Sequence, residues 1–294
     1  MDELERDVLK WYNNDEYNRL GNDVSVTELL NPPRIIHLQN RYGRQDKIEL
    51  KKIMPSLIGN GVHDQLQRFL KKESTINNNW KIERRLCTVV NDVRVSGRFD
   101  ALHMDEILYD IKVTKVYKAM KGDYSDWEKQ LNTYDWMLWK DGIDCKHLRI
   151  FMVLLDWNQG EAYRNPNYPS TAISIIPITK WDRSHQSSWI ETAVDTWKSS
   201  KDLTDTDLPL CGREERWADK PIFKLYRNNE LKRATKTFAT KDRANAYMNV
   251  CKTKDPEKWK DGFITEDSEN LFRRCMGWCD AAKYCNQFQN KIDS

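Results

Sequence analysis

The order of helical and extended patterns in the middle of this chain most constrains its fold. Apolar residues recur at helical spacing from Pro55 to about Lys72. Trp80 to Val90 and Val93 to Leu102 have the pattern of two strands joined at Asn91-Asp92, which tolerates the positive φ of a tight hairpin turn. We predict a third strand from Ile107 to Val113. A helix is therefore followed by three consecutive strands.

A second helix and a further strand complete this pattern. Ser125 and Glu128 have the spacing of a capping box, which predicts that a helix opens at Ser125 and runs to about Lys140. The apolar residues from His147 to Trp157 alternate as in a strand, and Ser170 to Ile178 resembles another. The order helix, three strands, helix, strand predicts an α/β fold of the α+β type with a mixed sheet.

We predict that the 294 residues form three segments. Residues 1–55 form a helical or irregular N-terminal region, residues 56–180 the core, and residues 181–294 a C-terminal appendage. Within the appendage we expect a helix to about Ser200, a hairpin from Ile222 to Phe238 that turns at Asn228-Asn229, and a helix near Arg243 to Val250.

Charge and hydropathy restrict the partners that this chain can have. The 48 basic and 45 acidic residues leave a net charge of only +3, so a nucleic acid must be held by local basic clusters and metals. No apolar run approaches the roughly 20 residues that span a bilayer, and the start lacks a signal-peptide core. We therefore expect a cytoplasmic protein with no membrane partner.

A tripeptide on the third predicted strand suggests chemistry. Asp110 and Lys112 are two residues apart, so their side chains point to one face while Ile111 points to the other. Asp100 ends the preceding strand, and the meander can bring it alongside Asp110. Two converging carboxylates favour a divalent cation such as Mg²⁺, for which the Ile111 carbonyl is a natural extra ligand. Lys112 could then orient and help deprotonate a water that attacks a phosphodiester, although a surface ion pair explains the tripeptide alone.

Four motifs in this order have a known counterpart. His63, Gly97-Arg-Phe-Asp100, Asp110-Ile-Lys112 and Gln130-Leu-Asn-Thr-Tyr134 together resemble the motifs of PD-(D/E)XK nucleases. The Gln-x-x-x-Tyr signature resembles that of the RecB-like branch, which includes CRISPR-adaptation exonucleases and many phage relatives. The resemblance covers about residues 56 to 156 and implies a restriction-endonuclease-like core.

The resemblance also implies roles for individual residues. His63, Asp100 and Asp110 would bind Mn²⁺ or Mg²⁺, Lys112 would be catalytic, and Gln130 and Tyr134 would position the DNA strand or the water. Asp110 stands where Glu is commoner in the family, which leaves the metal preference open. Taken alone, His63 also fits a half-buried structural histidine, and Tyr134 fits ordinary helix packing.

A row of lysines follows the tripeptide. Lys112, Lys115, Lys118 and Lys121 recur every three residues, and ammonium groups next to a metal site could hold DNA phosphates in register. A solvated charged segment is the alternative interpretation.

Cysteines crowd the end of the chain. Cys275, Cys279 and Cys285 lie within eleven residues, and thiolates at this density suit a tetrahedral or cuboidal metal centre. A fourth ligand is needed, and we choose Cys211, which lies in a loop-like context before Gly212. Nucleases of the RecB-like branch often carry a [4Fe-4S] cluster that staples the C-terminal segment to the core, but their first cysteine commonly precedes the motif histidine, and none precedes His63 here. Zinc is the alternative metal, and thiols that bind no metal are the remaining interpretation.

The leading functional hypothesis is therefore a metal-dependent DNA exonuclease acting on single-stranded ends or flaps in recombination, replication or repair. A structure-selective or sequence-specific endonuclease on the same core is one alternative. A non-catalytic, zinc-stapled adaptor that binds nucleic acid is another. DNA is the expected partner, with an oligomer or a recombination partner as a further possibility.

Overall fold

The structure, a computed structural model, describes residues 3, 6, 21–43, 50–104, 106–218, 221–228, 233–267 and 272–290. The chain forms two compact units, Met1–His37 with Gln45–Thr204 and Leu38–Arg44 with Asp205–Ser294. Both contain helices and sheets, and the sheets of the first unit are mixed, which confirms the predicted fold class. The unit boundaries differ from the divisions predicted at 55 and 180, and that three-part organisation stays a prediction.

The elements up to residue 200 follow the predicted order, with additional short helices. They are β1 (Val24–Ser25), α1 (Val26–Leu29), α2 (Pro33–Tyr42), α3 (Leu50–Asn77), β2 (Trp80–Ile82), β3 (Arg85–Val90), β4 (Val93–Arg98), β5 (Ala101–His103), β6 (Ile107–Thr114), α4 (Val116–Lys121), α5 (Ser125–Lys140), β7 (His147–Leu154), α6 (Gln159–Arg164), β8 (Ile173–Ile178) and α7 (Arg183–Ser200).

Two sheets organise the first unit. Strands β2-β5-β6-β7-β8 form one sheet in that order, in which only β6 and β7 run parallel. Strands β1-β4-β3 form the other. Helix α5 packs on β6 and β7, and its buried Leu131 and Leu138 belong to the same core cluster as Leu108 and Ile150 of the sheet. Burial of this apolar surface fixes the register of β6 and therefore the direction of its polar residues.

The two long strands predicted from Trp80 and from Val93 are each divided in two. Asn91 and Asp92 form the predicted turn, with φ values of 47° and 66°. Glu83, however, has a φ of 51°, and its N–H donates to the Asp100 carbonyl at 3.1 Å. The chain therefore leaves one sheet and enters the other at Glu83 and at Asp100. This break places Asp100 between two strands, at the edge of β6.

The predicted capping box at the start of α5 is wrong. Ser125 is the first residue of the helix, and its hydroxyl donates to Asp123 at 2.8 Å. The Glu128 carboxylate accepts from the indole N–H of Trp181 at 2.5 Å, and the Glu128 N–H donates to the Tyr124 carbonyl. The Asp123 carboxylate also accepts from the Ser125 N–H at 3.3 Å, so Asp123, and not Ser125, accepts a hydrogen bond from an N–H at the start of the helix.

The second unit contains an antiparallel sheet of order β10-β9-β11. Its elements after residue 205 are β9 (Ile222–Tyr226), β10 (Lys236–Phe238), α8 (Lys241–Lys254), β11 (Phe263–Asp267), α9 (Arg273–Gly277) and α10 (Asn286–Gln289). The predicted hairpin is confirmed as the pairing of β9 with β10; Asn229 of its turn lies outside the described residues. In the part of the chain that the structure describes, no helix is both long and apolar enough to span a bilayer.

Candidate active site

Strand β6 lies between β5 and β7 and presents Asp110 and Lys112 on one face. Asp100 lies between β4 and β5, and its side chain reaches the edge of β6. Its Oδ2 accepts a hydrogen bond from the backbone N–H of Ile111 at 2.7 Å. The break in the β4–β5 segment thus fixes one carboxylate beside the strand that carries the other.

His63 approaches Asp100 from the middle of α3. Its Nε2 lies 3.0 Å from Asp100 Oδ1 and 3.2 Å from the side-chain nitrogen of Gln67. Gln67 is a residue that the motifs did not predict, although its spacing of four residues places it on the same helical face as His63. The histidine therefore lies between a carboxylate and a buried amide.

Lys112 is fixed from two sides. Its Nζ lies 2.7 Å from Asp110 Oδ2 and donates to the Gln130 side-chain oxygen at 2.8 Å. Gln130 is on α5, the helix that packs over this face of the sheet. The amine is thus fixed by both the strand and the helix.

Tyr134 lies one turn after Gln130 and is buried against the strand that leads to Asp100. A Cβ on Gly97 would lie 2.6 Å from Tyr134 Cε1 and 2.8 Å from Val26 Cγ2. Only a glycine allows the ring to approach β4 this closely. The structure therefore gives Tyr134 a packing contact, and its predicted role in positioning the strand or water stays a prediction.

Burial and like charge shape the electrostatics of the site. Burial raises the pKa of Asp110, as does the negative charge of Asp100, while Lys112 lowers it, and the resulting pKa is about 6. Burial lowers the pKa of His63, but its hydrogen bond to Asp100 and the charges of Asp100 and Asp110 outweigh this effect, so the net pKa is raised. The buried negative charge favours protons or another cation at this point.

The donor atoms fit a hard divalent ion. In the described part of the chain, no three His, Cys, Asp or Glu side chains are grouped as a ready-made metal site. His63 Nε2 and Asp100 Oδ1 are nevertheless 3.0 Å apart. Two adjacent ligands at about 2.1 Å from one octahedral ion are separated by about 3.0 Å. Two carboxylates, one of them fully enclosed, and one imidazole match the ligand chemistry of Mg²⁺ or Mn²⁺.

Glu83 is a second residue that the motifs did not predict. Its carboxylate pairs with Lys71 of α3 and lies 3.6 Å from Arg98 of β4. Because Lys71 lies two turns after His63 and Arg98 lies two residues before Asp100, Glu83 links the helix and the strand that carry these two residues. Glu83 has a positive φ, which is unusual for Glu and has no signature in the sequence.

The three predicted DNA-binding lysines have different surroundings. Lys115 is exposed at the start of α4. Lys118 Nζ lies 5.0 Å from the centre of the Trp127 ring, and Lys121 Nζ lies 2.8 Å from Asp123. The last two therefore have protein partners, and a phosphate contact by any of the three stays a prediction.

The four predicted cluster cysteines lie in the second unit, and none of them forms a disulfide. Burial, the Glu215 carboxylate and the thiols of Cys285, Cys279 and Cys275 raise the pKa of Cys211 to about 12. The four thiols are thus close enough to affect one another's pKa. In the described part of the chain, however, no three of them are grouped as a ready-made metal site. A set of four neighbouring thiols matches the ligand chemistry of iron–sulfur and zinc sites.

Buried Gln287 joins the loop at Cys211 to the C-terminal segment. Its side-chain oxygen accepts from the Cys211 N–H, and its side-chain nitrogen donates to the Cys211 carbonyl, both at 2.9 Å. Gln287 lies two residues after Cys285, so this reciprocal pair holds two cysteine-bearing segments together.

No protein-family profile matches the chain, and no curated protein matches it. Among solved structures, the chain is similar to the crystal structure of SSO0001, with 18% sequence identity and a TM-score of 0.44. The similarity covers 65% of this chain and 84% of that chain. A likeness at this level supports no functional conclusion, so function must be inferred from the site itself.

Proposed function

We propose that this protein is a divalent-metal-dependent DNA nuclease of the PD-(D/E)XK type and the RecB-like branch. One observation carries the proposal: His63 contacts Asp100, Asp100 accepts from the backbone of β6, and the same strand carries the Asp110–Lys112 pair. We infer that it acts as an exonuclease on single-stranded ends or flaps in recombination, replication or repair.

The metal ligands follow from the donor set. His63, Asp100, Asp110 and the Ile111 carbonyl would hold Mg²⁺ or Mn²⁺. When bound, such an ion supplies positive charge for the phosphodiester and its leaving oxygen and makes bound water more acidic. The carboxylates must be ionised and His63 Nε2 unprotonated to serve as ligands.

The Lys112 ammonium has one N–H that can contact the reacting groups. An ammonium group has three N–H donors, of which two face Asp110 and Gln130. The third can bind the attacking water or a phosphate oxygen. Gln130 keeps the amine on the face that carries Asp110, so we assign Gln130 a positioning role.

Digestion of labelled DNA tests the proposal. Wild-type protein with Mn²⁺ should shorten end-labelled single strands, and Lys112→Ala should abolish cleavage. Lys254→Ala should retain it, because Lys254 is exposed at the end of α8 in the second unit. Cleavage of closed circular single strands would instead identify an endonuclease on the same core. If the wild type binds DNA but cleaves it no more than Lys112→Ala does, the protein is a non-catalytic adaptor.

For the second unit we propose a [4Fe-4S] cluster held by Cys211, Cys275, Cys279 and Cys285, with zinc as the alternative. The proximity of these thiols and the link through Gln287 support it. Such a centre would stabilise this unit. Anaerobic purification with iron, sulfide and zinc analysis tests it: Cys279→Ser should lower the metal content, whereas Cys251→Ser on α8 should not. None of the seven cysteines forms a disulfide, which suits the cytoplasm that we propose as the location.

A further inference from the structure

Gln67 occupies an unusual position in α3. It alone is buried among the side chains of α3 that the structure describes, while Leu66 and Leu70 are only half-buried and Gln65 is exposed. A buried polar side chain is normally held by a hydrogen-bonding or metal-binding partner. The partner of Gln67 is His63 Nε2, at 3.2 Å.

His63 Nε2 faces one hydrogen-bond acceptor and one hydrogen-bond donor. Asp100 Oδ1, at 3.0 Å, needs a donor, whereas the Gln67 amide group, placed with its nitrogen at 3.2 Å, needs an acceptor. An imidazole Nε2 carries either one proton or one lone pair, so it cannot satisfy both. A half-turn of the amide about its last bond exchanges its nitrogen and oxygen. His63 Nε2 then faces two oxygens, that of the Asp100 carboxylate and that of the Gln67 amide.

We propose that Gln67 supplies its amide oxygen as a further ligand of the divalent ion at His63 and Asp100. This inference rests on the metal site of the proposed function and adds a ligand that the four motifs do not contain. The distance of 3.2 Å between the Gln67 amide and His63 Nε2 is close to the separation of about 3.0 Å between adjacent ligands of an octahedral ion. Glutamine carbonyl oxygens bind hard cations, and a neutral ligand adds no charge to a site that already holds two carboxylates.

Calorimetric titration of the full chain with Mn²⁺ at pH 8 tests this ligand without relying on activity. Gln67→Met keeps the length of the side chain and removes the oxygen, so the dissociation constant should rise about tenfold. Gln67→Glu keeps an oxygen at the same reach and should bind Mn²⁺ as tightly as the wild type or more tightly. Gln65→Met, on the exposed side of the same helix, is the matched control and should leave the affinity unchanged. Thermal unfolding in EDTA establishes that each variant is folded.

Two results overturn the inference while leaving the proposed function intact. Either Gln67→Met binds Mn²⁺ like the wild type, or Gln67→Met and Gln67→Glu weaken binding equally, which would make the side chain only a hydrogen-bonding neighbour of His63. If the wild type does not bind Mn²⁺, or binds it no better than Asp100→Asn, the metal site itself is absent. The proposed function then fails together with the inference.

Discussion

Lys112 Nζ lies 2.7 Å from Asp110 Oδ2, and the two residues project from the same face of β6. Asp110 is enclosed by the core, whereas the Lys112 side chain is 23% exposed. The lysine therefore connects a buried carboxylate to the surface from which a substrate would approach. Removing either partner changes both the charge balance of the core and the groups available for chemistry.

Replacing Lys112 with Met should lower stability in a pH-dependent way. The variant leaves the Asp110 carboxylate buried without its cation, which should cost about 1–2 kcal/mol at pH 8, less than a fully buried pair because Lys112 is partly exposed. The pKa of Asp110, already raised to about 6, should rise further. At pH 5 the carboxyl is then protonated and the loss should nearly disappear. Urea unfolding at pH 8 and pH 5 measures the loss of stability, with Lys115→Met as control. An equal loss at the two pH values would contradict the explanation.

Metal affinity should increase with pH between about 5.5 and 7.5. In the metal-free protein the pKa of Asp110 is raised to about 6 by burial and by Asp100, and the pKa of His63 is also raised. Both groups must lose their protons before they bind Mn²⁺, so protons compete with the metal below these pKa values. Calorimetric titrations across this range should show the increase for the wild type and a shallower one for Asp110→Asn. An affinity independent of pH would mean that neither group is a ligand.

The same linkage predicts the stability of the protein in EDTA. The folded state binds a proton on Asp110 with a pKa of about 6, well above the value of about 3.9 of an unperturbed aspartate, which approximates the unfolded chain. Below pH 6 the folded state therefore holds more protons, and this residue's contribution to the free energy of unfolding should rise as the pH falls from 7 to 5. Unfolding of the wild type and of Asp110→Asn isolates this contribution. The difference between their free energies of unfolding should change with pH, and a constant difference would rule the linkage out.

Gly97→Ala should destabilise the first unit by about 1–3 kcal/mol because the added methyl group overpacks the core. The new Cβ would lie 2.6 Å from the Tyr134 ring, so the ring or strand β4 must move. Gly61→Ala on α3 is the control, since a Cβ there has no neighbour within 4 Å and alanine favours a helix. Urea unfolding compares the two. If Gly97→Ala costs as much stability in a Tyr134→Leu background as in the wild type, the clash with the ring is not the cause.

Local patterns predicted the parts of the site that lie on one element. The two-residue period of a strand places Asp110 and Lys112 on one face, and the turn at Asn91-Asp92 follows from the residues that tolerate positive φ. The division of the strands at Glu83 could not be predicted this way, because a positive φ at Glu depends on tertiary contacts. The burial of Gln67 likewise depends on the sheet against which α3 packs.

The start of α5 illustrates a limit of a different kind. The spacing of Ser125 and Glu128 fits a capping box, but the sequence contains competing partners for both side chains. Asp123 takes the Ser125 hydroxyl, and Trp181, far along the chain, takes the Glu128 carboxylate. Local spacing identifies which hydrogen bonds are possible, and long-range packing decides which of them form.

Gln287→Met should loosen the link between Cys211 and the C-terminal segment. The variant removes both hydrogen bonds between the Gln287 amide and the Cys211 backbone, and leaving such buried groups unpaired should cost about 1–3 kcal/mol in unfolding free energy. If the four cysteines hold a metal centre, its iron or zinc should also be released faster to a chelator, because Cys211 is then held less firmly near Cys285. Gln289→Met, two residues later, removes only an exposed hydrogen bond to the Lys283 carbonyl and is the control for both measurements. Lower stability with an unchanged release rate would mean that Gln287 supports the fold of the unit and that Cys211 is not a ligand.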